Sequence, residues 1–538
     1  MYDAFKISVA LDKLNIKIES LYAYDQKLFI GTSTGSLFVY EVKESLDEEK
    51  PLSVNLIETR KNFSKRSIEQ LNVIKEIDVL VALSDSCISI YDLHTLSLQK
   101  QLAKTRGANL FAIDTIEVSP DDDDNGIPTI VTRLSVAEIS IPDRIRTMVS
   151  VSSTTFCLGL ANEYALLDIS SGVLRELFSP SSTPINAGFS YMVVSFSAKV
   201  SKPLITKLPN DEILLAKDNV SIFVGLDGTP TRKVGIDWSG TPEEIGYSYP
   251  YLVAILPKHV EIRNIVTQSL VQTIELPQPR LINQGESLCI ANNNTVWRFI
   301  PINFENQIDQ LVEKHEYQEA ISLTEQIEPL HLENKDAKLY QIRDLYAHHL
   351  FQLKNFDAAM TIFQDLETNP AEVIALYSSF TSNFLHHKSE EDDDENKFNE
   401  KNNITPQTED ENDPIDKRVL NGTEENKILE GKELKNAISA LIRFLTDRRQ
   451  RISKILHHQQ VHKPNDEKPL DSQSFDRTSL TNGNLDHILE LAEIVDTALL
   501  KAYMMTNDAL VGPLLRVHNH VNVEETEGIL LERKVLKN

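Results

Sequence analysis

Four groups of residues have the types and spacing that chemistry would require. Gly31-Thr32-Ser33-Thr34-Gly35 spells GxSxG, the pattern of a hydrolase nucleophile elbow. Asp121-Asp122-Asp123-Asp124-Asn125-Gly126 satisfies the first half of a calcium-loop pattern. His458 and His462 stand four residues apart, so on a helix they would share one face at metal-ligand spacing. Arg443, Arg448, Arg449, Arg451 and Lys454 concentrate positive charge on one stretch of an acidic chain, where an acidic partner could bind.

Three of the four fail on context. A nucleophile elbow needs strand, turn, then helix, but the residues after Gly35 read LFVYEV, another strand. The calcium loop needs a bidentate acid at its twelfth position, which is Thr132, so the aspartates read as a solvated turn between strands. The histidines at 458 and 462, like the pairs His348-His349 and His386-His387, have no cysteine or firm helical frame nearby and read as surface residues. No GK[ST] phosphate loop and no GxGxxG occurs. The sequence therefore predicts no catalytic residue, no metal and no cofactor. It leaves the basic stretch at 443–454 as a candidate site for an acidic partner or for the chain's own acidic insert, beside the reading of an ordinary solvated helix face.

The elements that would position these residues repeat. Lys27 to Val42 (KLFIGTSTGSLFVYEV) carries two nearly continuous apolar runs around a glycine turn, a hairpin with both faces covered. Val79 to Asp92 (VLVALSDSCISIYD) aligns with it without gaps. Weaker copies begin at Thr129, Phe156, Ile213, Leu252 and Leu288, which makes seven. A period of about 40 to 50 residues, mostly strand, is the signature of propeller blades. The fold class expected is an all-β propeller of seven blades over residues 1–301, with one cramped blade where 129 and 156 lie too close for an outer strand.

After Trp297-Arg298-Phe299-Ile300-Pro301 the period becomes helical. Phe304, Ile308, Leu311 and Val312 share a face, and LVEKHEYQEAISL from Leu311 matches LFQLKNFDAAMTIF from Leu350, placing Tyr317 on Phe356 and Ala320 on Ala359. Paired helices with a large aromatic and a small alanine at fixed places predict an α-solenoid, with its first hairpins over 302–387. Residues 388–431 form an acidic insert; between 388 and 430 it holds fifteen acids against six basic residues, and disorder is expected there. Helical pattern returns over 432–538, interrupted by a loop at 457–484, and Asn522 with Glu525 resembles a capping box opening a last helix.

At 538 residues the chain exceeds one core, and its net charge of -26 argues against nucleic acid and against direct docking on acidic lipid. Cys87, Cys157 and Cys289 are scattered through the repeats, as buried thiols in a reducing compartment would be. The N-terminus MYDAFKISVALDKL shows no signal peptide, and no apolar run reaches membrane-spanning length. A cytoplasmic protein whose membrane contact is indirect is the expectation.

Several blocks are similar to one family in order along the chain: MYDAF, KNFSK at Lys61 to Lys65, RGANLFAIDT at Arg106 to Thr115, YLVAILPKHVEIRN, VWRFIPINFENQI, LYAHHLF and TALLKAYMMTNDALVGPLLRV. Together they resemble the vacuolar sorting protein thirty-nine family, also called vacuolar morphogenesis protein six, from Met1 to about Lys534. The resemblance implies a citron-homology propeller followed by an α-solenoid. It implies a non-enzymatic subunit of the HOPS tethering complex, peripheral on late endosome and vacuole or lysosome membrane. It further implies binding to a late-endosomal Rab GTPase and to other HOPS subunits in vesicle-mediated transport, autophagy and vacuole fusion. The alternative that the family implies is a guanine-nucleotide exchange factor for a Rab or Rag GTPase. Compared with the family the chain stops around the middle of the usual length, before the later clathrin-type repeats and the zinc-binding segment, and its acidic insert is longer.

Overall fold

The computed structural model describes residues 1–45, 51–113, 139–141, 143–161, 163–178, 202–283, 287–378, 431–461 and 485–536. These divide into two compact units, Met1–Lys314 with Ser322–Glu333, and His315–Ile321 with Asn334–Asn538.

The first unit is a β-propeller of six blades, each an antiparallel sheet of four strands. The chain opens on β1 (Phe5–Leu11) and then builds its first complete blade from β2 (Ile18–Tyr24), β3 (Lys27–Thr32), β4 (Leu37–Glu44) and β5 (Leu52–Arg60). The second blade is β6 (Ile68–Ile74), β7 (Val79–Ser84), β8 (Cys87–Asp92) and β9 (Leu98–Gln101). The third is β10 (Thr147–Ser150), β11 (Thr155–Gly159), β12 (Tyr164–Asp168) and β13 (Leu174–Phe178). The fourth follows as β14 (Leu204–Lys207), β15 (Glu212–Lys217), β16 (Val220–Gly225) and β17 (Ile236–Asp237), and the fifth as β18 (Glu244–Ser248), β19 (Tyr251–Ile255), β20 (His259–Asn264) and β21 (Leu270–Glu275).

The last blade takes β22 (Leu281–Asn283), β23 (Cys289–Ala291) and β24 (Val296–Pro301) from the end of the unit, and β1 from its beginning. Phe5 pairs with Pro301 and Ser8 with Arg298, so the first strand closes the ring. Gln272 fastens that closure. Its Oε1 accepts the backbone N–H groups of Ala4 and Phe5 at 3.1 and 3.0 Å, and its Nε2 donates to the Phe5 carbonyl at 3.0 Å.

The expected count of seven blades is thereby corrected to six. Six of the seven sequence hairpins are the two middle strands of a blade, for example β3–β4 and β7–β8. The hairpin expected at Thr129 to Ile141 lies, but for its last residues, outside the described residues. Middle strands are covered on both faces by neighbouring blades, which is why all six residues of β7 are buried and why its apolar run does not alternate.

The helical region begins with α1 (Phe304–Glu313), capped by the Asn303 side chain, which accepts the Glu305 N–H at 3.0 Å. It continues with α2 (Tyr317–Gln326), α3 (Lys335–Gln352), α4 (Phe356–Asp365) and α5 (Pro370–Ser378). Then come α6 (Gly431–Val461), α7 (Leu485–Thr506), α8 (Val511–Arg516) and α9 (Val523–Leu536). Tyr317 and Phe356 each start a helix and are buried, and Ala320 and Ala359 are fully buried, as the internal match predicts. One continuous core joins Phe351, Phe363, Tyr377, Leu441, Phe444, Val495 and Leu499 from α3 to α7.

The acidic insert lies outside the described residues but for Gly431, which opens α6. The loop expected at 457–484 starts later than the sequence indicates, because α6 continues through His457 to Val461. Among the described residues no helix is long and apolar enough to cross a membrane.

Candidate partner-binding site

Helix α6 forms because Ala437, Ile438, Leu441, Phe444, Leu445 and Ile452 recur at helical spacing and bury one stripe. The basic residues of the same helix do not share one open face. Arg443 is exposed and ion-paired with Asp357 of α4. Arg448 is fully buried, and its Nη2 donates to the carbonyls of Phe363 and Gln364 at 3.0 and 2.9 Å. Those carbonyls belong to the last turn of α4, where a cation satisfies orphan acceptors and the negative end of the helix dipole. The Arg448 guanidinium also lies 5.1 Å from the Phe444 ring centre. Burial, with Arg451 nearby, pushes its pKa below the usual arginine value.

Arg449 Nε donates to Asp496 Oδ1 of α7 at 2.6 Å, and its Nη2 donates to the His518 carbonyl at 2.9 Å. Arg451 pairs with Glu367 at 2.7 Å and with Asp447 at 2.9 Å. Lys454 is exposed and has no ion pair among the described residues. The five basic residues are thus divided. Arg448, Arg449 and Arg451 hold α4, α7 and the C-terminal segment in place, whereas Arg443 and Lys454 reach solvent. Charge density in sequence could not show this, because every acceptor but Asp447 lies tens of residues away along the chain.

The same segment holds polar residues that sequence reasoning missed. Asp496 is almost fully buried and also accepts the His520 N–H at 2.8 Å. Lys501, 3% exposed, reaches Glu525 at 2.5 Å. The capping box is half realised: Asn522 Oδ1 accepts the Glu525 N–H at 3.0 Å, while the Glu525 carboxylate turns to Lys501.

The GxSxG residues form the tight turn from β3 to antiparallel β4, and packing accounts for both glycines. Gly35 has φ +78, and a Cβ there would stand 2.3 Å from the Ser64 carbonyl oxygen. A Cβ on Gly31 would meet Ser20 Oγ at 2.3 Å. The aspartate run at 121–126 and His462 lie outside the described residues. Among the described residues no group of His, Cys, Asp and Glu could hold a metal ion. All three cysteines are free and buried, and burial pushes the Cys157 thiol up to about 12.

Comparison with known proteins places both units. Residues 24–285, from the end of β2 past β22, match the CNH domain, and residues 495–538 match the vacuolar sorting protein 39 domain 1. The human Vam6/Vps39-like protein is 29% identical over 98% of this chain. Vacuolar sorting protein 39 of Arabidopsis thaliana is 26% identical over 99% of it, and vacuolar morphogenesis protein 6 of Schizosaccharomyces pombe 24% identical over 100%. The chain is similar to Vam6/Vps39 proteins along nearly its whole length. It spans 56%, 54% and 59% of the length of those three relatives. The segment matching domain 1 begins at Val495 and contains Asp496, Lys501 and Glu525, so it includes the carboxylate that Arg449 of α6 bonds and the ion pair that ties α7 to the last helix.

Proposed function

We propose that this chain is a non-enzymatic tethering subunit in transport to the vacuole or lysosome, working through contacts with other proteins. The observation that carries the reading is similarity to Vam6/Vps39 and vacuolar morphogenesis proteins along 98 to 100% of the chain. The fold agrees physically: closed sheets and packed helices offer rigid area, with variable loops for specificity.

In this reading the partners are other subunits of the HOPS complex and a late-endosomal Rab GTPase in its GTP form. The helices after the propeller extend as an α-solenoid, and membrane contact is indirect. The solvent-reaching residues at the two ends of the 443–454 cluster, Lys454 and, in exchange with its exposed Asp357 pair, Arg443, are the part that remains for an acidic partner. The sites of action are late endosome, autophagosome and vacuole fusion.

The test is retention of the full chain on immobilised late-endosomal Rab locked in either nucleotide state. Retention by the GTP form above the GDP form is expected; equal retention overturns GTP-dependent recruitment. A nucleotide-release assay alongside it should show no acceleration by micromolar chain, and acceleration would move the reading to an exchange factor.

A further inference from the structure

Between the closing blade and the first complete blade lies a cavity of about 380 Å³. Its apolar wall is made of Ala10, Ala23, Leu28 and Val42, and the two alanines leave the space that larger side chains would fill. Arg298 enters it from β24, where it pairs with Ser8 on one side and Cys289 on the other. The guanidinium crosses to the neighbouring blade, and Nη2 donates to Glu44 Oε1 at 3.0 Å.

The rest of that guanidinium is poorly matched. Among the described residues no geometric hydrogen bond reaches the buried Nε and Nη1 of Arg298, whose side chain is 14% exposed, and the neighbouring Cys289 thiol offers only a weak acceptor. Arginine carries five N–H donors, keeps its charge in proteins, and when buried normally has acceptors on them. Glu44 is a poor complement because it is 54% exposed and touches only one nitrogen. The Cys289 thiol supplies no counter-charge either, since burial pushes its pKa up to about 11 despite the adjacent Arg298. Lys27 and Lys43 add ammonium groups to the same lining and Asp25 adds a carboxylate beside Glu44, with Lys43 paired to Glu41 at 2.8 Å. The volume exceeds a single water's share of about 30 Å³ more than tenfold and falls in the ligand-pocket range of roughly 300–1,000 Å³.

We propose that this inter-blade cavity binds a phosphate monoester, with Arg298 as the buried anchor and Lys27 as a second cation at the lining. Phosphate presents several charged acceptor oxygens, which suits the N–H groups of two poorly matched guanidinium nitrogens and a nearby ammonium better than a neutral ligand does. The ester could be a small soluble molecule or a lipid headgroup; the recognition chemistry is the same. The site is separate from the α6 arginines and does not depend on the tethering reading.

Titration calorimetry of the full chain with O-phosphoserine and inorganic phosphate, against acetate at equal ionic strength, tests it. Phosphate ligands should bind and acetate should bind at least tenfold more weakly. Arg298→Gln should weaken phosphate binding more than tenfold, and Ala23→Leu should abolish it by filling the space while leaving Arg298 in place. Lys27→Gln, near the surface, should weaken it severalfold and serves as the deciding variant if either of the others melts early. Vesicles containing phosphatidic acid then separate the sources: retention assigns a lipid headgroup, and no retention assigns a soluble ester. Equal responses to phosphate and acetate, no binding at millimolar phosphate, or binding unchanged in Arg298→Gln would each overturn the site.

Discussion

Arg449 of α6 and Asp496 of α7 meet at 2.6 Å, and the other oxygen of that carboxylate accepts the backbone N–H of His520 at 2.8 Å. One buried carboxylate therefore fixes a helix pair and the segment leading into α9. It lies within the residues that match the vacuolar sorting protein 39 domain 1.

Replacing Asp496 with Ala removes both contacts and leaves a guanidinium that is 28% exposed without its main partner. Breaking a fully buried pair costs about 3–5 kcal/mol; partial exposure of Arg449 lowers the expectation to about 2–3 kcal/mol. Urea denaturation of the helical region should show this, and a loss within 0.5 kcal/mol would mean the carboxylate is not holding the segment.

Substitutions in the basic helix should separate into two kinds. Arg448→Ala removes a fully buried side chain and uncaps α4, with an expected cost of about 2–4 kcal/mol. Lys454→Glu, on an exposed position, should leave stability within about 0.5 kcal/mol. A comparison of melting temperature with partner retention for the two variants distinguishes a folding defect from a binding defect.

The turn that spells GxSxG should respond as a turn. Gly35→Ala must adopt φ +78 and place a methyl against the Ser64 carbonyl, so about 2–4 kcal/mol should be lost. Ser33→Ala should cost little, and chemical denaturation of the two variants side by side checks the order. A larger loss for Ser33→Ala would overturn the packing account.

The propeller should be weakened by rising pH through Glu244. Burial raises its pKa from 4.5 to about 7, offset in part by the Ile282 N–H at 2.8 Å and by Lys202 and Arg280. The folded state then holds a proton that the unfolded state has released, so this contribution is complete below about pH 4.5 and is lost as pH rises through 7. Glu244→Gln keeps an acceptor for Ile282 and should remove about 1–2 kcal/mol of that pH dependence between pH 5 and 8. Denaturation midpoints of both forms across that range are the measurement; parallel curves would refute it.

Local pattern was enough to find the blades one by one. Continuous apolar runs such as Val79 to Ser84 are set by burial on both faces, and glycine turns mark where each strand reverses. The same holds for the helical repeat, because Tyr317 and Phe356 with Ala320 and Ala359 occupy equivalent packing positions. Family resemblance was legible for a related reason: many short blocks keep their order. The blade number was not, since a hairpin counts only when two further strands and a place in the ring complete it, and the last ring position borrows β1 from the other end of the unit. Nor was the division of the basic helix, because Arg448, Arg449 and Arg451 find acceptors that approach only when α4, α7 and the C-terminal segment pack around them. Sequence determined which segments become strands and helices, because that depends on neighbours a few residues away. Tertiary structure alone decided which charges are spent inside the protein and which remain at its surface, because that depends on residues brought together from across the chain.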